Sequence, residues 1–313
     1  MSDTAPAAIE VRDLCKRYGD YEAVRGIDIT VLRGEVFGLL GPNGAGKTTT
    51  VEILEGYRTR TSGEVSVLGH DPARRSIEMR RRIGIVLQSG GIYSHITPRE
   101  ALRHWASFYP HPRNVEEVLT LSGLQEKADV RSRKLSGGQL RRLDFALALV
   151  GDPELIFLDE PTTGFDPEAR RAAWDTVRSL RARGKTILLT THYLEEAQAL
   201  ADRVAIVKDG RVLAIGPPRD LMAHPPGAGG EAGGLRYKVA YRDCSGELVE
   251  HETDDPTTLL HELSGEALAH GQRLEELSVG RPTLEDVYLE LTADAEAPAH
   301  PREEQHRRET ADA

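Results

Sequence analysis

Two cysteines, Cys15 and Cys244, are all that 313 residues contain, and they stand far apart in unlike surroundings. A disulfide framework or a cysteine-rich metal cluster is excluded, and a reducing compartment, the cytoplasm, is the expected home. Long apolar runs are lacking too. The longest, around Phe145 to Gly151, is about seven residues, where a bilayer-spanning helix needs roughly eighteen or more. The first residues, MSDTAPAAIEVRD, have no basic stretch followed by an apolar core, so no secretory signal is read. Basic charge is in deficit: 40 Lys and Arg against 50 Asp and Glu give −10 at pH 7. Coating nucleic acid needs clustered positive charge to neutralise phosphates, so that class is disfavoured. Internal repeats and heptad runs are absent as well. What remains, 39% hydrophobic and 29% charged residues, is the make-up of an ordinary globular protein with room for about two domains.

Through residue 221, apolar stretches of strand length alternate with helix-period segments. VFGLL (36–40), EVSVL (64–68), IGIVL (83–87), LIFL (155–158), TILLT (186–190) and RVAIV (203–207) read as strands. Their near-continuous apolar character predicts strands covered on both faces, as in a parallel sheet flanked by helices. Helix starts stand between them. Thr97-Pro98-Arg99-Glu100 and Asn114-Val115-Glu116-Glu117 set an N-cap residue three before a glutamate, the spacing of a capping box. Asp166-Pro167 sets a cap before a proline at the first helical position, and Gly184 ends that helix. Ala173, Val177 and Leu180 are its apolar stripe. Asp209-Gly210 between two apolar runs predicts a tight hairpin.

Composition shifts at HPPGAGGEAGG (224–234), which has nothing to pack, and residues 222–234 are read as a linker. Beyond it Tyr237, Val239 and Tyr241 alternate as a strand, and Leu248 and Val249 mark a second. Asp255-Pro256 opens a short helix, and RLEELSV (273–279) reads as a third strand. Leu284, Val287, Tyr288 and Leu291 lie on one face of a last helix. Residues 235–292 thus make a small α+β domain, near the lower size limit for independent stability. The charged, Ala-rich residues 293–313 are expected to be a disordered tail.

Gly41-Pro42-Asn43-Gly44-Ala45-Gly46-Lys47-Thr48 matches G-x-x-x-x-G-K-[ST] directly after the strand VFGLL, and Thr49 continues into an apolar helix. Glycines in such a loop let consecutive backbone N–H groups wrap a phosphate resting on a helix N-terminus. Lys47 then reaches the β- and γ-phosphates, and the Thr48 hydroxyl ligates Mg²⁺. LIFLDE (155–160) is an apolar strand ending in two carboxylates. Asp159 suits outer-sphere coordination of Mg²⁺ at the carboxyl edge of a parallel sheet, and Glu160 orients or deprotonates the attacking water. LSGGQ (135–139) opens the helix LRRLDFALALV. Ser136 and Gln139 have capping-box spacing, and Gly137 and Gly138 leave the helix N-terminus bare, itself an anion site.

That pentapeptide, about ninety residues after Lys47, resembles the signature of the ABC (ATP-binding cassette) ATPases, and the resemblance covers roughly residues 8–221. It implies roles for further residues. Tyr18, about thirty residues before Lys47, matches the aromatic that stacks on adenine. Gln88, at the end of IGIVL, matches the glutamine that senses Mg²⁺ and water and faces the transporter. Asp166 in TTGFDP matches the acid of the loop that crosses a dimer interface, and His192 matches the histidine that contacts the γ-phosphate. Two positions depart from the pattern: Phe165, where leucine is common, and Leu140, which is often polar. The block RPTLEDVYLELT is similar to the C-terminal block of daunorubicin-resistance-type drug exporter ATPases, which pair with ABC-2 type permeases.

The expected fold is therefore α/β: a P-loop ABC ATPase core over 1–221, with a helical subdomain at about 90–150, and the small α+β C-terminal domain. The implied function is ATP hydrolysis driving export of a drug-like or lipid-like substrate through a separate membrane permease. Two ATPs with Mg²⁺ would be sandwiched in a homodimer, each site using one phosphate loop and the other copy's LSGGQ. The chain would sit on the inner face of the cell membrane and bind no nucleic acid. Two alternatives are weighed: a soluble ABC ATPase acting on ribosomes or DNA, usually with two cassettes or a long coiled coil, and an importer ATPase, which the C-terminal block disfavours. Arg74-Arg75 and Arg80-Arg81-Arg82 are read as solvated helix faces. The aromatics of HWASFYP (104–110) are either core of the helical subdomain or lining of a groove for a permease helix.

Overall fold

Strand β6 (Leu155–Asp159) shows how this chain builds its centre. Side chains alternate faces along a strand, so Leu155 and Phe157 enter one apolar cluster while Ile156 and Leu158 enter another. β7 (Thr186–Thr191) does the same, with Leu188 on one side and Ile187 and Leu189 on the other. A sheet buried on both faces results, as the unbroken apolar runs predict. The computed structural model describes residues 6–86, 94–223, 237–243, 245–281 and 283–294, and the chain divides into two compact units, Met1–Leu221 and Met222–Ala313.

In the first unit the central sheet has the order β5-β6-β7-β3-β8-β9, with β3 (Val36–Leu40), β5 (Ile83–Val86), β8 (Arg203–Lys208) and β9 (Arg211–Gly216) completing it. Neighbours are parallel except β8 and β9, which form the expected hairpin at Asp209-Gly210. A second, antiparallel sheet has the order β2-β1-β4, from β1 (Ala7–Tyr18), β2 (Tyr21–Leu32) and β4 (Ser62–Val67). EVSVL therefore belongs to the antiparallel sheet and not to the parallel one. Only alternate residues of β4, Val65 and Val67, are buried, the mark of a strand with one covered face.

The cluster between the two sheets includes Ile9, Leu14, Ile27, Phe37 and Phe157, together with α1 (Lys47–Leu54). α2 (Ile77–Arg82) contributes the buried Met79. On the opposite face lie α3 (Pro98–Ala106), α4 (Val115–Leu121), α5 (Gly137–Leu149), α6 (Pro167–Ala182) and α7 (Leu194–Leu200), and α8 (Pro218–Ala223) follows β9. Leu102, Leu119, Leu143, Phe145, Val177 and Leu180 fill that cluster, and Leu140 packs half-buried against it. Thr97 makes a full capping box with Glu100. Asn114 makes half of one: its side chain accepts from the Glu116 and Glu117 N–H groups, with no return bond.

Arg74, Arg75, Arg80 and Arg81 are exposed, as read, but Arg82 departs from that reading. Its guanidinium grips both carboxylate oxygens of Glu154, at 2.6 and 2.9 Å. Hydrogen bonds from Arg82, then from Arg33, hold the Glu154 carboxyl down at about 2.

The second unit is a three-stranded antiparallel sheet, order β11-β10-β12, from β10 (Tyr237–Arg242), β11 (Leu248–Thr253) and β12 (Glu275–Gly280). α9 (Pro256–Ala269), opened by Asp255, is longer than anticipated at 14 residues. α10 (Leu284–Asp294) buries Leu284, Val287 and Leu291 and reaches past the expected start of the tail. The stretch 224–234, Gln88, Cys244 and the tail beyond Asp294 lie outside the described residues. Among the described residues, no helix is long and apolar enough to cross a membrane.

Candidate active site

Lys47 is the first residue of α1, and the loop before it is shaped by two glycines that no other residue replaces cheaply. A Cβ at Gly46 would stand 2.5 Å from the Ala23 carbonyl oxygen, and φ there is +97°. A Cβ at Gly41 would stand 2.2 Å from the Val207 carbonyl oxygen. The loop thus nests against neighbouring backbone and folds over the Lys47 side chain. Lys47 Nζ donates to the carbonyls of Gly41 (2.7 Å) and Pro42 (3.0 Å) and lies 3.9 Å from Glu160 Oε1. Burial pulls the ammonium below the ordinary lysine value, against Glu160 and Asp159, whose charges push it up.

Glu160 follows the last residue of β6 with φ +45°, a left-handed conformation that costs a non-glycine residue on the order of 1–3 kcal/mol. Surrounding bonds hold it. Its N–H is directed at two oxygens of Thr190, Oγ1 at 3.0 Å and the carbonyl at 3.2 Å. Its Oε2 accepts from Thr163 Oγ1 at 3.2 Å. His192 Nδ1 lies 3.4 Å from Oε1 but without hydrogen-bond alignment. Asp159, 8% exposed, accepts from Thr190 Oγ1 through Oδ1 at 2.5 Å.

An open cleft of about 610 Å³ collects Lys47, Glu160 and His192, while Asp159 is not among its lining residues. Tyr18, Asn43, Gly44, Gly46, Lys47, Thr48, Thr49, Glu160 and His192 line it, as the sequence anticipates, together with Tyr21, Ala23 and Thr163, which the sequence reading does not single out. Lys16 Nζ stands 4.9 Å and Arg58 Cζ 5.6 Å from the Tyr18 ring centre. Within the loop Ala45 is buried, and Pro42 carries one of the carbonyls that hold Lys47. Ser136, Gly137, Gly138, Gln139 and Asp166 do not line this cleft within one copy. They cap helices: Ser136 and Gln139 complete a reciprocal box at α5, and Asp166 accepts from the Ala169 N–H at α6 (2.8 Å). A Cβ at Gly137 or Gly138 would meet nothing within 4 Å, so that helix start is open.

The residues suit a nucleoside triphosphate with Mg²⁺. The first N–H groups of a helix have no partner within it and carry partial positive charge, and Lys47 stands at that end. Thr48 and Asp159 offer hard oxygen donors. Among the described residues, no group of three or more His, Cys, Asp or Glu could cage a metal.

A second cavity, about 480 Å³, is lined by Glu55, Tyr57, Arg75, Arg80, Trp105 and Tyr109, among others. Trp105 and Tyr109 also pack on the helical core, as the first reading of the HWASFYP aromatics has it, while Phe108 is exposed. Burial pushes the Glu55 carboxyl up to about 8, with Asp159 and Glu52 adding to the effect. Below pH 4.5 it is protonated in folded and unfolded chains alike and leaves stability unchanged. Between 4.5 and about 8 the unfolded chain releases a proton the folded chain keeps, so stability is lost as pH rises. Glu55→Gln is expected to remove a cost on the order of 3 kcal/mol at pH 8, raising Tm by roughly 5–10 °C there and by little at pH 4.5. Calorimetric scans of both proteins across that range check it, and equal slopes of Tm against pH would refute the buried carboxyl.

A glycine-rich loop closing on a helix start, facing a strand that ends in paired carboxylates, defines a P-loop nucleoside triphosphatase. Comparison with known proteins narrows the class. The family described as ABC transporter matches residues 24–163. The chain is 40% identical over 302 residues to Nod factor export ATP-binding protein I of Burkholderia lata, covering 91% of this chain and 97% of that one. It is also 40% identical over 311 residues to a daunorubicin resistance ATP-binding protein of Streptomyces coeruleorubidus, covering 94% and 98%. Among solved structures, the ATP-binding subunit of an ABC transporter superposes with a TM-score of 0.62 at 30% identity, covering 68% of this chain and 91% of that one. A dimeric ATP-binding cassette in a post-hydrolysis state with ADP and phosphate gives 0.60 at 24% identity, covering 67% and 98%, a likeness of fold alone. The chain belongs to the ABC transporter family, as an ATP-binding, ATP-hydrolysing subunit.

Proposed function

We propose that this chain powers export through a separate membrane permease by binding and hydrolysing MgATP as a homodimer. The observation that carries the reading is the cleft itself, where Lys47, Glu160 and His192 converge on the N-terminal end of α1. Nucleotide phosphates rest on that helix end. Tyr18 stacks on the base, Lys47 leaves the Gly41 and Pro42 carbonyls for the phosphates, and Glu160 orients or deprotonates the attacking water. Bound Mg²⁺ supplies neutralisation of phosphate charge, with Thr48 and Asp159 as its protein partners. Asp166 and Ser136 to Gln139 serve the second copy, consistent with the exposure of Ser136, Gly137 and Asp166 and with the absence of all five from the lining of their own cleft. Residues 1–221 then form the ATPase domain and 235–292 an accessory one.

The named relatives concern Nod factor export and daunorubicin resistance, which supports a drug-like or lipid-like cargo, an ABC-2 type permease and a place on the inner face of the cell membrane. Neither name supports the ribosome- or DNA-directed alternative. The Trp105–Tyr109 cavity is the surface we assign to the permease. Co-expression with an ABC-2 type permease that pairs with this chain is expected to bring the chain into the membrane fraction and give ATP-dependent efflux from inverted vesicles. A chain that stays out of the membrane with that partner present would refute the export reading.

A further inference from the structure

We infer that Thr190 is a positioning residue that sets both acidic residues of the site through one hydroxyl, donating to the Asp159 carboxylate while accepting from the Glu160 backbone N–H. Thr190 is fully buried, one residue before the end of β7 and directly opposite Asp159 in the register between β6 and β7. An ionised carboxylate only accepts, so the single Thr190 proton goes to Asp159 Oδ1, at 2.5 Å, and a lone pair is left for the Glu160 N–H, at 3.0 Å. With Oδ1 taken, Oδ2 would be left to hold bound Mg²⁺ through its water shell.

The second bond bears on Glu160. The chain turns at φ +45° there, and the Glu160 N–H, still directed at the Thr190 carbonyl oxygen of the ladder at 3.2 Å, is held a second time by the Thr190 hydroxyl at 3.0 Å. That turn aims the Glu160 side chain to within 3.4 Å of His192 Nδ1 and 3.9 Å of Lys47 Nζ. Valine in place of Thr190 keeps the β-branched shape and removes both bonds. Asp159 would be free to rotate, and Glu160 would lose a restraint on an uncommon conformation.

The inference rests on the ATPase reading, and the experiment separates the two. Full-length wild type, Thr190→Val, Thr190→Ser and Thr190→Ala are compared for ATPase kinetics, for affinity toward a fluorescent ATP analogue with Mg²⁺ or with EDTA, and for Tm. Loss of partners that orient a metal ligand costs about 10–100-fold in metal affinity or activity. Thr190→Val is therefore expected to lower kcat about 10–100-fold with KM for ATP changed less than about threefold, and to raise the Mg²⁺ concentration for half-maximal turnover. Its affinity in EDTA should match wild type, while the tightening that Mg²⁺ brings shrinks. Thr190→Ser, which keeps the hydroxyl, should stay within about threefold of wild type. If the valine variant fails to fold, serine against alanine decides, since both lack the methyl group and only one has the hydroxyl. Equal kcat and equal Mg²⁺ dependence for serine and alanine would overturn the inference, as would a valine variant with wild-type values. A wild-type chain without ATPase activity would overturn the ATPase reading and this inference with it.

Discussion

Glu160→Gln is expected to retain ATP binding and to lose hydrolysis by about 10²–10⁴-fold, the usual cost of removing a general base. Glutamine keeps the volume of the side chain and an oxygen for the Thr163 hydroxyl, so the φ +45° turn and its bonds to Thr190 are undisturbed. What disappears is a negative charge 3.9 Å from Lys47 Nζ and 3.4 Å from His192 Nδ1. That charge competes with nucleotide phosphate for the Lys47 ammonium, so its removal leaves binding equal or tighter. Bound ATP is then not consumed, and the ATP-held dimer accumulates. Phosphate release measures the loss, and size-exclusion chromatography with ATP measures the dimer. Near-normal turnover by purified Glu160→Gln would remove Glu160 from the chemistry.

A mixed dimer of Lys47→Ala and Ser136→Arg chains is expected to recover activity that neither variant has alone. Within one copy, Ser136 caps α5 and does not line the cleft that holds Lys47. In the two-fold dimer we propose, each composite site would draw Lys47 from one chain and Ser136 from the other. In the mixed dimer both defects fall in one site and the other is whole. Random mixing makes half the dimers mixed, and half of their sites intact, so about a quarter of wild-type activity returns in a two-fold assembly. If turnover needs both sites, recovery is smaller but still above either variant. Two affinity tags confirm the mixed species before phosphate release is measured. Confirmed mixed dimers without recovery would argue against independent composite sites, and full activity in either single variant would sink them.

Much of the site was legible because its parts are contiguous. The loop from Gly41 to Thr48, the strand ending Asp159-Glu160, the box of Ser136 with Gln139 and the Asp209-Gly210 hairpin each obey rules confined to a few neighbouring residues. β1 and β2 were not read, although together they form most of the second sheet. In β1 the alternation is broken: it shifts register between Val11 and Leu14, with Asp13 at φ +47° between them, whereas β2 does alternate at Ile27, Ile29 and Val31 and was simply missed. A bulge of that kind erases the period-two pattern by which a half-buried strand is recognised. EVSVL was read as a strand but placed in the wrong sheet, since five residues do not record which neighbour they pair with.

The sequence by itself determined where the phosphate loop, the acidic strand end and the signature helix lie, because glycine conformations, helix caps and strand alternation act over a handful of residues. Only the tertiary structure decided which of these meet. Thr190 is 31 positions from Asp159 and touches it because β6 and β7 pair in parallel register. Arg82 is 72 positions from Glu154, and its shift from solvated charge to ion-pair partner rests on that distant carboxylate alone. Glu55 became a carboxyl that keeps its proton to about pH 8 through burial, which no neighbour in the sequence announces. Pairing, burial and low local dielectric arise between segments far apart in the chain, so they exist only once the chain has folded.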